Sequence, residues 1–402
     1  MTTDVEPALR VAMVCPYDLA RPGGVQGQAL GLSRALRRMG HEVVVIAPHD
    51  GVRGWVTGQA YAVGRSVALR ANGSVAPVSV SPLAARRAVD AARDWRADVV
   101  HLHEPLAPAL GYGFLLSARW PVVATFHRAG VPRAASLAAP ATRWMCGRIQ
   151  VRVAVSEAAR RTAAAWCGGR FEVLFNGIDA DRFVGARPVA SKLPAVVFLG
   201  RHEHRKGLGV LLEAFSTGAL VAELWVIGSG PETASLRARY PESDRIRWLG
   251  AVSDEVAATR LRGASVLCAP SLGGESFGMV LLEGMAARCR VVASDIPGYR
   301  DAAGGHATLV PPGDAGALQG ALASVLSSLS SPSDAAAIEA AASYAREWSM
   351  DRLAQCYVEA YRRAARIWDR HGVAGGARSS GAPARTGARA VRQGPGGNVG
   401  PR

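Results

Sequence analysis

The chain has 402 residues, of which 49% are hydrophobic and 20% are charged. It is long enough for two domains, each with its own core, and its composition is typical of a soluble globular protein. The formal net charge of +15 suggests an anionic partner. Nucleic-acid binding is not predicted, because the surplus lies on scattered arginines with no aromatic-interleaved basic stretch.

The N-terminus and the cysteines predict a cytoplasmic protein. The first ten residues, MTTDVEPALR, lack the basic region and apolar stretch of a signal peptide. No run of about 18 apolar residues is present, so no membrane span is predicted. The six cysteines lie far apart without a CxxC pair. We therefore expect buried thiols, neither a disulfide framework nor a zinc site.

Short apolar runs alternate with helical patterns in the first half of the chain. The predicted strands are LRVAMVC, EVVVIAP, DVVHLHE, PVVATFH and IQVRVAVS. A helix is expected to open near Gln26 and to end at Gly40. This alternation predicts α/β architecture with a parallel sheet.

The pattern restarts in the second half. The predicted strands are AVVFLGR, ELWVIGSG, IRWLGAV, SVLCAPS and CRVVASD. We expect a Rossmann-like domain over residues 1–170 and a second over residues 171–345. We also expect a helix over 346–370 that crosses back to the first domain. Residues 371–402 carry five arginines and no acid, which predicts a disordered basic tail.

Two facing doubly wound domains place the carboxyl ends of both sheets at one cleft, so loops after strands hold the candidate site residues. After the first strand, Pro22-Gly23-Gly24 precedes a helix. A tight turn and a ligand-approach site explain these glycines equally well.

Lys206 follows the first strand of the second half, and it is one of only two lysines among 47 basic residues. It lies five residues after Arg201. Arginine offers a planar fork and lysine a compact point charge. Together they suit a diphosphate, whose charge grows as it departs.

The segment GGESFGMVLLEG places Glu275 and Glu283 eight residues apart, between a strand and a helix. In a helix this spacing is about 12 Å along the axis, so the two cannot act on one atom. It matches the span from the sugar to the ribose of a nucleotide sugar. Ser276, Phe277, Gly278 and Met279 are expected to offer free backbone N–H groups at the helix start.

Three histidines lie near strand ends. His127 ends the strand VVATFH on the cleft side, where a structural role and a catalytic role both remain open. His101 and His103 alternate along another strand without a third ligand nearby. We interpret them as packing or loop-anchoring groups, and no metal site is predicted.

These segments resemble retaining glycosyltransferases of family 4, which have the two-domain GT-B fold. GGESFGMVLLEG is similar to the family's E-x7-E motif, and GRHEHRKG to its Arg/Lys pair. The resemblance covers about residues 10–365. Within the family, VCPYDLARPGGVQ, HLHEPLAP, VVATFH and FNGID are most similar to actinobacterial members that transfer mannose from GDP-mannose to an inositol lipid.

The resemblance implies a role for each matching residue in the donor site. Arg201 and Lys206 would stabilise the leaving diphosphate, and Gly24 would contact it from the other domain. Glu275 and the backbone of Ser276–Met279 would hold the hexose and phosphate of the donor, and Glu283 would hold the ribose hydroxyls. Asp254 would lie near the base, and His127 would contact the transferred sugar.

The resemblance also implies a front-face retaining mechanism, in which the leaving phosphate helps to deprotonate the acceptor hydroxyl. No cofactor is expected beyond the nucleotide sugar, because the cationic side chains replace a metal. A carboxylate at Asp254 suits guanine, but backbone contacts would equally read uracil. A family member that uses a UDP-sugar and a small-molecule or glycan acceptor is therefore the alternative.

The expected acceptor-binding residues are Gln26, Asn72 and Arg128. Pro77 and Pro132 depart from the inositol-lipid pattern, which has basic residues at both positions. Residues 82–98 match the helix that should dock on an anionic membrane. They carry four arginines and three aspartates, so the attraction is weak, at about 1 kcal/mol per uncompensated charge. A solvated helix is the equal alternative. The expected location is cytoplasmic, with peripheral contact at the inner face of the plasma membrane.

Overall fold

The computed structural model describes residues 7–21, 23–71, 74–128, 135–275 and 277–374. It contains two α/β units, each built on its own largely parallel sheet. The fold class predicted from the sequence is confirmed. The disordered tail was predicted to begin at residue 371, but the last helix continues to Ala374, and residues 375–402 lie outside the described residues.

The first sheet has the strand order β10-β9-β8-β7-β1-β2-β4-β3. Strands β1, β2, β7, β8 and β9 are buried because helices cover both faces of the sheet. Among the described strands of this sheet, only β3 runs antiparallel to its neighbour. The bounds are β1 Arg10–Val14, β2 Glu42–Ala47, β3 Arg53–Thr57, β4 Ala60–Val63, β7 Val99–His103, β8 Val122–Phe126, β9 Val151–Ala154 and β10 Glu172–Val173; β5 Val67–Ala71 and β6 Ser74–Val78 form a separate hairpin.

The second sheet has the order β13-β12-β11-β14-β15-β16 and is parallel throughout. This is the doubly wound order of dinucleotide-binding folds, with the reversal of strand order between β11 and β14. The bounds are β11 Ala195–Leu199, β12 Glu223–Ile227, β13 Ile246–Gly250, β14 Val266–Ala269, β15 Arg290–Ser294 and β16 Thr308–Val310.

Helices cover both sheets, and several begin at side-chain caps. Ser156 and Ser253, for example, accept a backbone N–H from the first turn of the helix that follows. The bounds are α1 Gly24–Arg38, α2 Pro82–Asp94, α3 Leu110–Ser117, α4 Ala135–Cys146, α5 Glu157–Cys167, α6 Asp181–Val184, α7 Leu208–Ser216, α8 Thr233–Arg239, α9 Asp254–Gly263, α10 Met279–Ala286, α11 Pro297–Ala303, α12 Ala315–Ser328, α13 Pro332–Glu347 and α14 Met350–Ala374.

The last two helices lie on different domains. Helix α13 packs against α10 in the second domain. Helix α14 packs against α1 and β8 in the first domain, where Tyr357 and Tyr361 are buried in the core. The C-terminal helix therefore ties the second half of the chain back to the first.

The structure adds strands that the sequence patterns did not predict. Strands β3 and β4 are short and β3 is largely exposed, so neither gives a buried apolar run. Strand β10 pairs with β9 and extends the first sheet to Val173, just past the predicted boundary after residue 170. Strand β16 is three residues long.

The expectation of six buried thiols is wrong for two cysteines. Cys146 and Cys167, at the ends of α4 and α5, form a disulfide bond. They are 21 residues apart in the sequence, and packing of the two helices brings them together, so no local motif signals the bond. Cys15, Cys268 and Cys289 are buried thiols, and Cys356 is partly buried.

Candidate active site

The loops that follow β11 and β14 meet at the reversal point of the second sheet. Gly207 has a φ of +67°, and a Cβ atom on it would lie 1.9 Å from the carbonyl oxygen of Pro270. The amide of Leu272 donates to the carbonyl of Arg205 over 2.8 Å. Glycine is therefore required at 207 for the first loop to dock on the second.

Docking of these loops places Lys206 beside Glu275. The Lys206 Nζ atom lies 2.7 Å from Glu275 Oε1, and Arg205 donates to the same oxygen over 2.8 Å. Arg205 also pairs with Glu203 over 3.1 Å. Arg201 pairs with Glu203 at the same distance, and no direct contact of Arg201 with Glu275 is described.

This ion cluster has three cationic side chains and two carboxylates, which leaves one positive charge in excess. Glu203 is buried, whereas the Arg201 side chain is 49% exposed. Lys206 and Glu275 are 20% and 12% exposed, so they are reachable at the cleft but largely shielded from water. A diphosphate at this edge would compete with Glu275 for Lys206 and Arg205.

Glu275 does not lie in the helix that carries Glu283. Helix α10 begins at Met279, and Glu275 lies in the preceding loop. Gly273 and Gly274 have φ values of +155° and +75°, and their left-handed backbone conformations turn the chain out of the helical path. The helical spacing assumed from the sequence is therefore wrong for this pair.

The residues between Glu275 and α10 have different environments. Ser276 lies outside the described residues. The Phe277 ring is buried and stacks on Phe175 at 5.1 Å between centroids. Gly278 is the residue before the helix, and a Cβ there would lie 2.8 Å from the Tyr299 ring. Glycine at 278 therefore allows the start of α10 to pack closely on Tyr299 of α11.

Glu283 pairs with Arg182 of α6, at 3.0 Å from its guanidinium. Burial raises the pKa of the Glu283 carboxyl, Arg182 opposes that rise, and the negative charge of Asp254 adds to it. Asp254 itself is exposed at the start of α9. The predicted ribose and base contacts therefore lie near one another.

The starts of α1 and α10 face each other across the two domains. A Cβ on Gly24 would lie 3.4 Å from the terminal methyl group of Met279. The Gln28 side chain donates to the Met279 sulfur over 2.9 Å and to the Gly177 carbonyl over 2.7 Å. Gln28 also accepts from the Gly177 amide. The predicted residues Gly24 and Met279 are thus brought together at the cleft.

His127 lies at the carboxyl end of β8 and is 8% exposed. Its Nε2 atom is 3.0 Å from Nδ1 of His103, which ends β7. Its backbone amide donates to the carboxylate of Glu104. Burial raises the pKa of Glu104, although the amides of His127 and Arg128 oppose that rise. His103 is therefore a direct neighbour of the predicted sugar contact.

The predicted acceptor residues are only partly described. Gln26 is buried and donates to the carbonyls of Asp18 and Arg21, over 3.3 and 3.2 Å, so its amide holds the loop after β1. Arg128 is exposed at the end of β8. Asn72 lies outside the described residues, as does Pro132, whereas the Pro77 carbonyl accepts the amide of Asp18.

Four residues of the candidate site were not among those predicted from the sequence. Arg205 and Glu203 join the ion cluster, and both shortly precede Lys206 in the sequence. Their charges were a signal, but no pattern shows which of several charged neighbours points at Glu275. Arg182 and Gln28 come from distant segments, and no local motif predicts these contacts.

Other features of the described residues lie away from this cleft. A cavity of about 380 Å³ lies at the amino ends of β8 and β9, lined by Phe114, Trp120, Arg148 and Trp368 among others. No group of three or more potential metal ligands occurs among the residues that the structure describes. In the same part of the chain, no helix is long and apolar enough to cross a membrane.

Comparison with known proteins identifies the family. The "Glycosyltransferase Family 4" domain matches residues 22–182, and the "Glycosyl transferases group 1" domain matches residues 193–328. The chain belongs to glycosyltransferase family 4. It is 39% identical to the phosphatidyl-myo-inositol mannosyltransferase of Mycolicibacterium smegmatis, over 79% of this chain and 85% of that protein. The Propionibacterium freudenreichii enzyme of the same name is 37% identical, with 73% and 79% covered.

Solved structures agree on the fold of this glycosyltransferase. A glycosyltransferase from Rickettsia africae superposes with a TM-score of 0.69 at 19% identity, covering 89% of this chain and 98% of that one. Sucrose-phosphate synthase from Thermosynechococcus elongatus gives 0.67 at 19% identity, covering 88% and 98%. The architecture is the GT-B fold, as the sequence predicted.

Proposed function

We propose that this glycosyltransferase transfers mannose from GDP-mannose to phosphatidyl-myo-inositol, with retention of the anomeric configuration. The names of its relatives support the mannosyl group and the inositol lipid. The observation that carries the proposal is the cationic cluster at the cleft, where Lys206 and Arg205 share the Glu275 carboxylate. That cluster lies at the reversal point of a doubly wound sheet, where nucleotides bind in such folds.

In the proposed reaction, the bond between the anomeric carbon and the diphosphate oxygen breaks. Lys206, Arg205 and Arg201 offset the negative charge that grows on the leaving GDP. The acceptor hydroxyl attacks from the same face, and its proton passes to an oxygen of the departing diphosphate. No protein nucleophile is needed, and Glu275 is released from its cations to accept hydrogen bonds from the sugar.

Asp254 of the second domain is the residue that favours guanine over uracil as the base of the donor. Asp254 is exposed at the start of α9 and close enough to Glu283 to affect the pKa of that carboxyl. A carboxylate there would accept from the N–H donors of guanine, whereas uracil presents fewer donors. A family member that uses a UDP-sugar is the alternative.

Contact with the membrane is proposed to be peripheral and weak. The exposed Leu83 of α2 offers an apolar group, at 54% exposure. Arg86 and Arg93 of the same helix pair with Asp90, and Arg93 also pairs with Asp94. These pairs compensate much of the positive charge that would attract anionic lipid.

Calorimetric titration of the purified protein with GDP, UDP, GDP-mannose and UDP-GlcNAc tests the donor. We expect the guanine nucleotides to bind more tightly. A preference for uridine nucleotides would overturn the mannose donor while leaving glycosyl transfer intact. Turnover with GDP-mannose and vesicles containing phosphatidylinositol, compared with free inositol, then tests the acceptor. Equal turnover of free inositol would contradict a lipid acceptor.

A further inference from the structure

Three histidine rings form a buried stack beneath the cleft, at the carboxyl ends of β7 and β8. The rings of His101 and His103 have centroids 4.4 Å apart, and those of His103 and His127 are 5.2 Å apart. All three side chains are buried. Burial lowers the pKa of His103 to about 3 and the pKa of the other two well below the ordinary value. The rings are therefore neutral at physiological pH.

A neutral imidazole has one nitrogen that donates and one that accepts. In the pair that joins His103 Nδ1 to His127 Nε2, one ring donates and the other accepts. The other nitrogen of His103, Nε2, is buried and has no hydrogen-bond partner among the residues that the structure describes. A proton on Nε2 would be a buried N–H group without an acceptor, and such groups are rarer in proteins than buried acceptors without a donor. The proton of His103 is therefore placed on Nδ1.

We propose that His103 is a positioning residue that donates from Nδ1 to Nε2 of His127 and so fixes the proton of His127 on Nδ1. In that tautomer, His127 presents an N–H donor to a hydroxyl of the transferred sugar. The expected effect on turnover rests on the proposed function. The tautomer itself depends only on the contacts of the histidine rings.

The C-terminal helix holds the base of this stack. His101 Nδ1 is 2.8 Å from the Tyr361 hydroxyl, and His101 Nε2 is 2.8 Å from Thr125. The Thr125 hydroxyl in turn is 2.7 Å from that of Tyr357. Both nitrogens of His101 are satisfied without His103, so this network anchors the ring below but does not supply a partner for His103 Nε2.

The direct test is nitrogen-15 NMR of the full-length protein with labelled histidines, without ligand. We expect the His127 signals, assigned by loss in His127→Gln, to show a protonated Nδ1 and an unprotonated Nε2. A protonated Nε2 on His127 would overturn the proposal. This measurement does not depend on the donor or the acceptor, so its failure is distinguishable from failure of the proposed function.

Two substitutions at His103 separate the hydrogen bond from the ring. His103→Phe keeps a flat ring in the stack but has no N–H to donate. His103→Asn loses the ring, but its side-chain amide reaches the position of Nδ1. We expect kcat to fall by about tenfold to one hundredfold in His103→Phe, as when a partner that orients a functional histidine is removed. The KM for the donor should change little, and His103→Asn should recover most of the lost turnover.

Tyr361→Phe is the matched control, because it removes one hydroxyl from the same network without touching the His103–His127 pair. It should leave kcat near that of the wild type. Thermal unfolding shows whether each variant is folded. A folded His103→Phe with normal turnover, or an Asn variant no better than the Phe variant, would contradict the positioning role.

Discussion

The two sheets present different chemistry at the carboxyl ends of their strands. In the second domain, the loops after β11 and β14 carry charged side chains, and Lys206 and Arg205 both contact the Glu275 carboxylate. In the first domain, the ends of β7 and β8 carry buried histidines whose pKa values are lowered. One fold thus supports a charged, partly exposed cluster in one domain and a buried stack of histidine rings in the other.

The difference follows from what each half is expected to bind. A diphosphate needs positive charge, and partial exposure limits the cost of keeping three cations there. A sugar hydroxyl needs only directional hydrogen bonds, which neutral groups provide without a desolvated charge.

The largest effect is expected at Lys206. Lys206→Ala should lower kcat by about one hundredfold to one thousandfold, the range for loss of one group that stabilises transition-state charge. Lys206→Arg should not restore the rate, because a planar fork does not replace a point charge shared with Arg205. Steady-state turnover is the measurement, and the exposed Lys192→Ala is the matched control. Normal turnover in Lys206→Ala would refute this role.

A smaller effect is expected from the backbone that positions this charge. Gly207→Ala forces a side chain into a left-handed conformation and against the Pro270 carbonyl. We expect it to cost about 1–3 kcal/mol of unfolding free energy and to lower turnover by displacing Lys206. Urea denaturation measures the first effect. Gly320→Ala, in an open helical position of α12, should instead stabilise by about 0.5–1 kcal/mol. Equal stability of the two variants would contradict the steric argument.

The raised pKa of Glu283 predicts that the free energy of unfolding depends on pH. Its folded pKa is raised from 4.5 by burial, so the folded state favours the protonated carboxyl. Its contribution to stability is therefore full below pH 4.5 and is lost as the pH rises through the folded pKa. Glu283→Gln should remove this loss, so the unfolding free energy of the wild type relative to that of the variant should fall as the pH rises above 4.5. The exposed Glu359→Gln is the control. A relative stability independent of pH would contradict the raised pKa.

The smallest effect is expected at the C-terminus. Residues 375–402 contain five arginines and no acid, and the candidate site lies wholly before them. Removing them should leave turnover of GDP-mannose unchanged. A loss of turnover measured under the same conditions would show that the basic segment acts at the cleft or on the fold.

The sequence predicted the fold because buried parallel strands give continuous apolar runs that local chemistry makes visible. The five strands expected in each half correspond to strands of the structure. Strands such as β3, β4 and β16 were missed because short or exposed strands lack that pattern. The Cys146–Cys167 bond was missed because its partners are neighbours only through helix packing.

The candidate site was likewise predictable only in part. Residue identity and local spacing made Lys206, Glu275 and His127 candidates, since an isolated lysine, a glycine-flanked glutamate and a strand-end histidine can be recognised in the sequence. The sugar contact of His127 was implied only by the family resemblance. Only the tertiary structure decided which groups touch. Arg205 and Lys206 meet Glu275 because two loops dock through Gly207, and His103 meets His127 because adjacent parallel strands end together. Residue identity determines the charge of each side chain, whereas its hydrogen-bond partners depend on long-range packing that no local pattern encodes.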